Sequence, residues 1–205
     1  MSAVSELLRE GLLEGVAVLV VDAGEASSFG PAVAEGVEQV GARVRTSAPD
    51  AVDVEAGGLD MLVVDGAALF VAGGLGACLE GAWAATAASV NGAFLPAARG
   101  GRIVYLAPAP GAGEQADAAR AGLENLARTL SVEWARHEIT AVTIALGDTT
   151  APGEVGALVA YLASPAGAYF SGCQLDLRGV VAASDPAMRR AAPGRGGRGP
   201  CPRPR

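Results

Sequence analysis

GGRIVYLAPAPGAGEQADAARAGLENLARTLSVEWA, Gly100–Ala135, is the stretch that decides the fold. It opens with a short apolar run, Arg102 to Ala107, that reads as a buried strand. A loop rich in proline and glycine follows, with Pro108, Pro110, Gly111 and Gly113. From Gln115 to Arg136 the apolar positions Ala116, Ala119, Leu123, Leu126, Ala127, Leu130, Val132 and Trp134 recur mostly at spacings of three and four, the period of one helix face. A strand, a tight loop and a long helix are the parts of a parallel crossover unit.

The same alternation extends in both directions. Upstream, Ser5–Leu13 reads as a helical lead-in. Val16–Val21 (VAVLVV) is a continuous β-branched run and predicts a strand buried on both faces. Asp22–Gly30 is a turn rich in Gly and Ser, and Pro31–Val40 reads as a helix with its proline allowed in the first turn. Ala42–Thr46 is a second strand, Val52–Val54 a short one, Leu59–Val64 another buried one, and Leu79–Ala98 a helix. Downstream, Ile139–Ala145 is a strand, Glu154–Ala163 a helix and Cys173–Leu177 a last short strand. Strands alternating with helices predict an α/β fold with a doubly wound, mostly parallel sheet between two helical layers.

The chain has 205 residues, of which 51% are hydrophobic. That is enough for one domain with a sizeable core, expected over residues 1–184. Residues 185–205 hold Arg189, Arg190, Arg195, Arg198, Arg203 and Arg205 among prolines and glycines, and predict a disordered tail. No lysine occurs, and the net charge of −7 argues against nonspecific binding to nucleic acid. The opening MSAVSELLREGLLEG carries acids and lacks the basic and apolar regions of a signal peptide. No apolar run reaches the ~18 residues of a membrane span, so neither a membrane nor a nucleic acid is expected as partner. Cys78, Cys173 and Cys201 lack metal-ligand spacing, and no metal site is expected. Free thiols fit a reducing cytoplasm.

The order of these segments resembles the short-chain dehydrogenase/reductase family over residues 11–182. LLEGVAVLVVDAG is similar to its first strand and turn, GGLDMLVVDGA to its fourth strand with the Asn-Asn-Ala-Gly motif, and SVNGAFL to the helix bearing its catalytic Asn. GGRIVYLA and ARAGLENLARTLSVEWA resemble its catalytic strand and helix. EVGALVAYLASPAGAYFSGCQLDLRGV resembles its C-terminal helix and last strand. The resemblance implies a shortened Rossmann-like domain.

The resemblance also implies what has changed. Of the three cofactor-turn glycines, Gly24 and Gly30 remain and Ser28 replaces the middle one, where a side chain would crowd a dinucleotide phosphate. After the second strand stand Thr46, Ser47 and Ala48, without the family's acid or base. Arg45 could contact a phosphate, but its alternation with Val44 makes it a solvent-facing strand residue. Asp65 stands in the Asn-Asn-Ala-Gly motif. Of the catalytic positions only Asn91 is kept. Pro108 holds the Ser position, Ala116 the Tyr position and Arg120 the Lys position, so the general acid is gone, a loss of about 10²- to 10⁴-fold in rate. A strand and helix after the second strand are shortened away. So is the substrate lid after Leu146-Gly147, which would exclude water.

The helices at the family's dimer interface, Leu79–Ala98 and Gln115–Arg136, are retained. The expectation is therefore a non-catalytic structural or regulatory subunit, a homo- or hetero-oligomer partner of an active relative, with no cofactor or weakly bound NAD(P). Two alternatives stand beside it. One is an NAD(P)-dependent ketone or alcohol reductase with an atypical site built on Glu114, Asp117 or Arg120. The other is a module that senses a nucleotide through Gly24 and Gly30.

Overall fold

The computed structural model describes residues 8–24 and 27–179. Among them are six strands: β1 (Ala17–Val21), β2 (Arg43–Ser47), β3 (Met61–Val64), β4 (Gly101–Ala107), β5 (Ile139–Ala145) and β6 (Gln174–Asp176). All neighbours are parallel, in the order β2-β1-β3-β4-β5-β6. Parallel neighbours need crossovers. These are supplied by α1 (Phe29–Glu38), α2 (Gly66–Ser89), α3 (Ala116–Glu133) and α4 (Pro152–Ala163). The expected doubly wound α/β architecture is the one observed.

Strand periodicity divides the core in two. Leu19, Val21, Leu62, Val64, Ile103 and Tyr105 face α2 and α3. Val18, Val20, Met61, Val63, Val104 and Leu106 face α1 and α4. The α1–α4 crossing is a backbone contact. A Cβ on Gly36 would lie 2.9 Å from Gly156 Cα, and one on Gly156 would lie 2.4 Å from the Ala32 carbonyl oxygen. Only glycine permits that approach.

Strand β2 forms one margin of the sheet, and its outer side pairs with no further strand among the described residues. It is the least buried strand, with Arg43, Arg45 and Thr46 exposed.

The structure corrects several expectations. Residues 8–15 form turns instead of the end of a helix; Leu13 is buried and its amide donates to the Val40 carbonyl at 2.8 Å. Val52–Val54 is not a strand. The two valines pack against the core, and the Val54 carbonyl lies where a Cβ of Gly92 would sit, 2.8 Å away. Helix α2 starts thirteen residues before Leu79, at Gly66, capped by the Asp65 carboxylate accepting from the Ala68 amide at 2.9 Å. Its Gly-rich first half hides the helical period. It breaks at Gly73 and Gly74, where φ is −154° and +72°. It continues through a wide turn at Val90–Phe94 and a last turn at Leu95–Ala97.

Contrary to the expectation from sequence, this run, Gly66–Ala97, is long and apolar enough to cross a membrane by length and composition. Its packing is that of a core helix on the sheet, through Leu69, Phe70, Cys78, Ala82 and Ala85. Only 33% of its most apolar window is buried, however, so an apolar face is left outward. The arginine-rich tail, Cys201 and most of Ser5–Leu8 lie outside the described residues.

Candidate functional site

In an open parallel sheet, ligands bind beyond the carboxyl ends of the strands. Two regions lie there. The first is a cleft of about 790 Å³ beside the β1–α1 turn, lined by Asp22, Thr46, Ser47, Asp50, Leu69 and Glu80 among others. The residues after β2 therefore do line it, as their sequence position implies. Its charged groups are carboxylates, and no basic side chain is among the described residues lining it. Arg45 lies elsewhere, in a depression with Ala17, Val18 and Arg43.

Of the residues expected to hold a cofactor, Gly30 and Asp65 bond to each other, while Gly24 and Ser28 bond elsewhere. The Gly24 amide donates to Asp22 Oδ1 at 2.8 Å. At the start of α1 the Phe29 amide donates to Ser27 Oγ at 3.0 Å, and the Gly30 amide to Asp65 Oδ2 at 3.0 Å. Pro31 has no N–H. The Ala32 amide donates to the Ser28 carbonyl at 3.3 Å. Ser28 itself is exposed. Gly30 is required by its neighbour: a Cβ there would sit 2.7 Å from Asp22 Oδ2. Asp65 is completely buried. Burial raises its pKa, the charge of Asp22 adds to that, and bonds from the Ala68 amide, the Ser27 hydroxyl and the Gly30 amide oppose it.

The second region lies beyond β4 and β5. Pro108 and Ala116 are buried and bring no polar side chain. The Pro110–Ala112 turn is tied down by the Gly111 amide donating to Asp148 Oδ1 at 2.9 Å. Arg120 is buried, and its guanidinium pairs with Asp117 at 2.9 Å, while its Nε has no partner among the described residues. Glu114 and Asp117 are exposed. Where a lid is expected to be missing, the chain turns tightly from β5 into α4. The Gly147 amide donates to Thr150 Oγ1 at 2.8 Å, and a Cβ on Gly147 would strike Arg178 Cα at 2.7 Å.

Asn91 does not join this group. It is exposed on the Val90–Phe94 turn, and Phe94, one turn on, packs its ring on Gly101 at the opposite, N-terminal end of β4. Because α2 starts so early, its turn beside the middle of α3 carries Leu79, which would meet a Cβ of Gly122 at 2.7 Å. Tyr105 is fully buried, bonded to Thr86 Oγ1 at 2.8 Å, and burial raises its pKa, so it offers no proton to this end of the sheet. Cys78 is buried and donates to the Gly66 carbonyl; burial pushes its thiol up to about 12. No metal-ligand cluster occurs among the described residues.

Sequence reading missed the pair at this end, Asp176 and Arg178 at the end of β6. Arg178 holds the Asp176 carboxyl down to about 2 through side-chain and backbone hydrogen bonds. The contribution of the pair to stability is present above the ordinary carboxylate range and is lost as pH falls from about 4 towards 2. We expect the Asp176 carboxyl carbon, followed by NMR, to titrate near the lower value, and Arg178→Gln to return it to the ordinary range. An unshifted Asp176 in the parent protein contradicts this.

Three solved structures share the fold. BdcA from E. coli is 22% identical with a TM-score of 0.63, the match covering 81% of this chain and 100% of that one. RhlG from Pseudomonas aeruginosa, solved as an NADP active-site complex, is 22% identical with a TM-score of 0.64, covering 82% and 96%. A short-chain dehydrogenase/reductase variant from Serratia marcescens is 19% identical with a TM-score of 0.61, covering 80% and 96%. BdcA has also been solved in complex with NADPH. No family model matches the sequence, and no curated protein does. The chain thus has the short-chain dehydrogenase/reductase fold.

Proposed function

We propose that the chain is a non-catalytic member of the short-chain dehydrogenase/reductase family. In this reading it serves as a structural or regulatory subunit, docked through α2 and α3 on a second subunit of the same fold, either another copy or an active relative. The observation that carries it is the state of the α3 start. The position read as the general acid is Ala116, buried, and the cation one turn on, Arg120, is closed onto Asp117. Proton transfer needs a titratable group within reach of the reacting atom, and Pro108 and Ala116 bring none.

The outward side of the two helices supports docking. Trp83 and Val132 are 51% and 76% exposed. Leu79, Trp83, Gly122 and Leu126 line a shallow apolar groove between α2 and α3. Apolar surface of this kind, broken by small residues, fits helix-on-helix packing.

The expected result in light scattering is an assembly larger than the monomer, formed by the chain alone or on mixing with an active reductase of this fold. Trp83→Glu should dissolve it and move stability little, since Trp83 is exposed and surface substitutions stay within about 0.5 kcal/mol. A chain that stays monomeric in both settings sinks the docking claim. Turnover of a carbonyl substrate with NADPH sinks the non-catalytic one.

A further inference from the structure

We infer that the β1–α1 turn is closed to the pyrophosphate of a dinucleotide because Asp65 supplies the anion from within the chain. A helix start attracts a phosphate by offering N–H groups with no intrahelical partner. At the start of α1 three of those positions are closed: Phe29 donates to Ser27, Gly30 to Asp65, and Pro31 has nothing to donate. The Asp65 carboxylate does this for two helices at once, since its other oxygen accepts from Ala68 at the start of α2. It is a buried carboxyl group set between two helix N-termini, whose dipoles favour its charged form.

Two further features oppose a phosphate here. The Asp22 carboxylate packs on Gly30, at the distance a Cβ would fill. The adjoining cleft adds Asp50 and Glu80 and no basic side chain among the described residues. A pyrophosphate entering this place would displace an internal carboxylate and meet a second one. The residues present therefore do not fit NAD(P), although structures of the same fold hold it. The inference concerns the β1–α1 turn alone and is independent of whether α2 and α3 dock on a partner.

The experiment is calorimetry with NADH, NADPH and inorganic pyrophosphate, on the whole chain and on Asp65→Asn. In the variant a single side-chain oxygen is left for the two amides of Ala68 and Gly30, and the carboxylate is gone, so the internal substitute for a phosphate is weakened. The parent chain should show no saturable binding of any of the three up to about 1 mM, and Asp65→Asn should bind pyrophosphate at least about tenfold more tightly than the parent, a gain of about 1.4 kcal/mol. A parent dissociation constant for NADH or NADPH below about 100 μM overturns the inference, as does a folded Asp65→Asn with no gain for pyrophosphate. Hydrogen exchange on the parent chain decides the matter should the variant not fold. The Gly30 amide should be protected without any ligand, and unprotected exchange there overturns the inference.

Discussion

Gly156→Val is expected to abolish stable folding or to lower the urea midpoint more than any substitution at the candidate site. Overpacking of a well-packed core costs about 1–3 kcal/mol and at times more. Here the obstacle is backbone: a Cβ on Gly156 would lie 2.4 Å from the Ala32 carbonyl oxygen, which has no rotamer by which to yield. Helix α1 would have to lift from α4, withdrawing Val33 and Val37 from the core they share with Val155 and Val159. For a domain stable by about 5–15 kcal/mol, that is a large fraction of the total. Gly153→Ala, one turn earlier on α4, is the control. A Cβ there meets nothing within 4 Å, so the midpoint should hold or rise. Equal effects of the two substitutions would refute the close-crossing argument.

Tyr105→Ala should cost about 3–5 kcal/mol, the range for deleting a large buried aromatic side chain. Tyr105 lies in the α2–α3 half of the core, and Thr86 loses its phenolic partner while keeping its bond to the Ala82 carbonyl. Tyr105→Phe keeps the ring and removes one buried hydrogen bond, so it should cost about 1 kcal/mol. Denaturant unfolding of the two variants separates packing from hydrogen bonding. A small loss in Tyr105→Ala would mean that the ring is not the wedge between β4 and α2 that its burial implies.

Most of the fold was legible because its signals are local and strong. The run ITAVTIA is a strand over the same residues, Ile139–Ala145, and the three- and four-residue spacing after Gln115 marks α3 to within a few residues. The first half of α2 was not legible, since Gly66, Gly73, Gly74 and Gly76 give no helical period. The cap that starts it is one carboxylate, Asp65, which the family comparison treated as a motif residue. Asn91, read as part of a catalytic set, is exposed on the Val90–Phe94 turn, a local backbone feature that carries no sequence period. The internal bonding of the β1–α1 turn was invisible for a different reason. Asp65 and Gly30 are 35 residues apart, and only the parallel pairing of β1 with β3 brings them together. Asp176 and Arg178 were passed over because a charged pair two residues apart at the end of a short strand carries no periodic signal.

Strand β2 carries a consequence for how the chain behaves when crowded. A sheet margin offers unpaired backbone groups to any other chain that can align with it, and that is a common route to aggregates. Here the margin alternates Arg43 and Arg45 around Val44, and both arginines are exposed. Two identical margins approaching each other would oppose their guanidinium groups. In a chain without lysine, the residue most often used for such protection, arginine fills that place, and its charge opposes growth of the sheet by edge pairing.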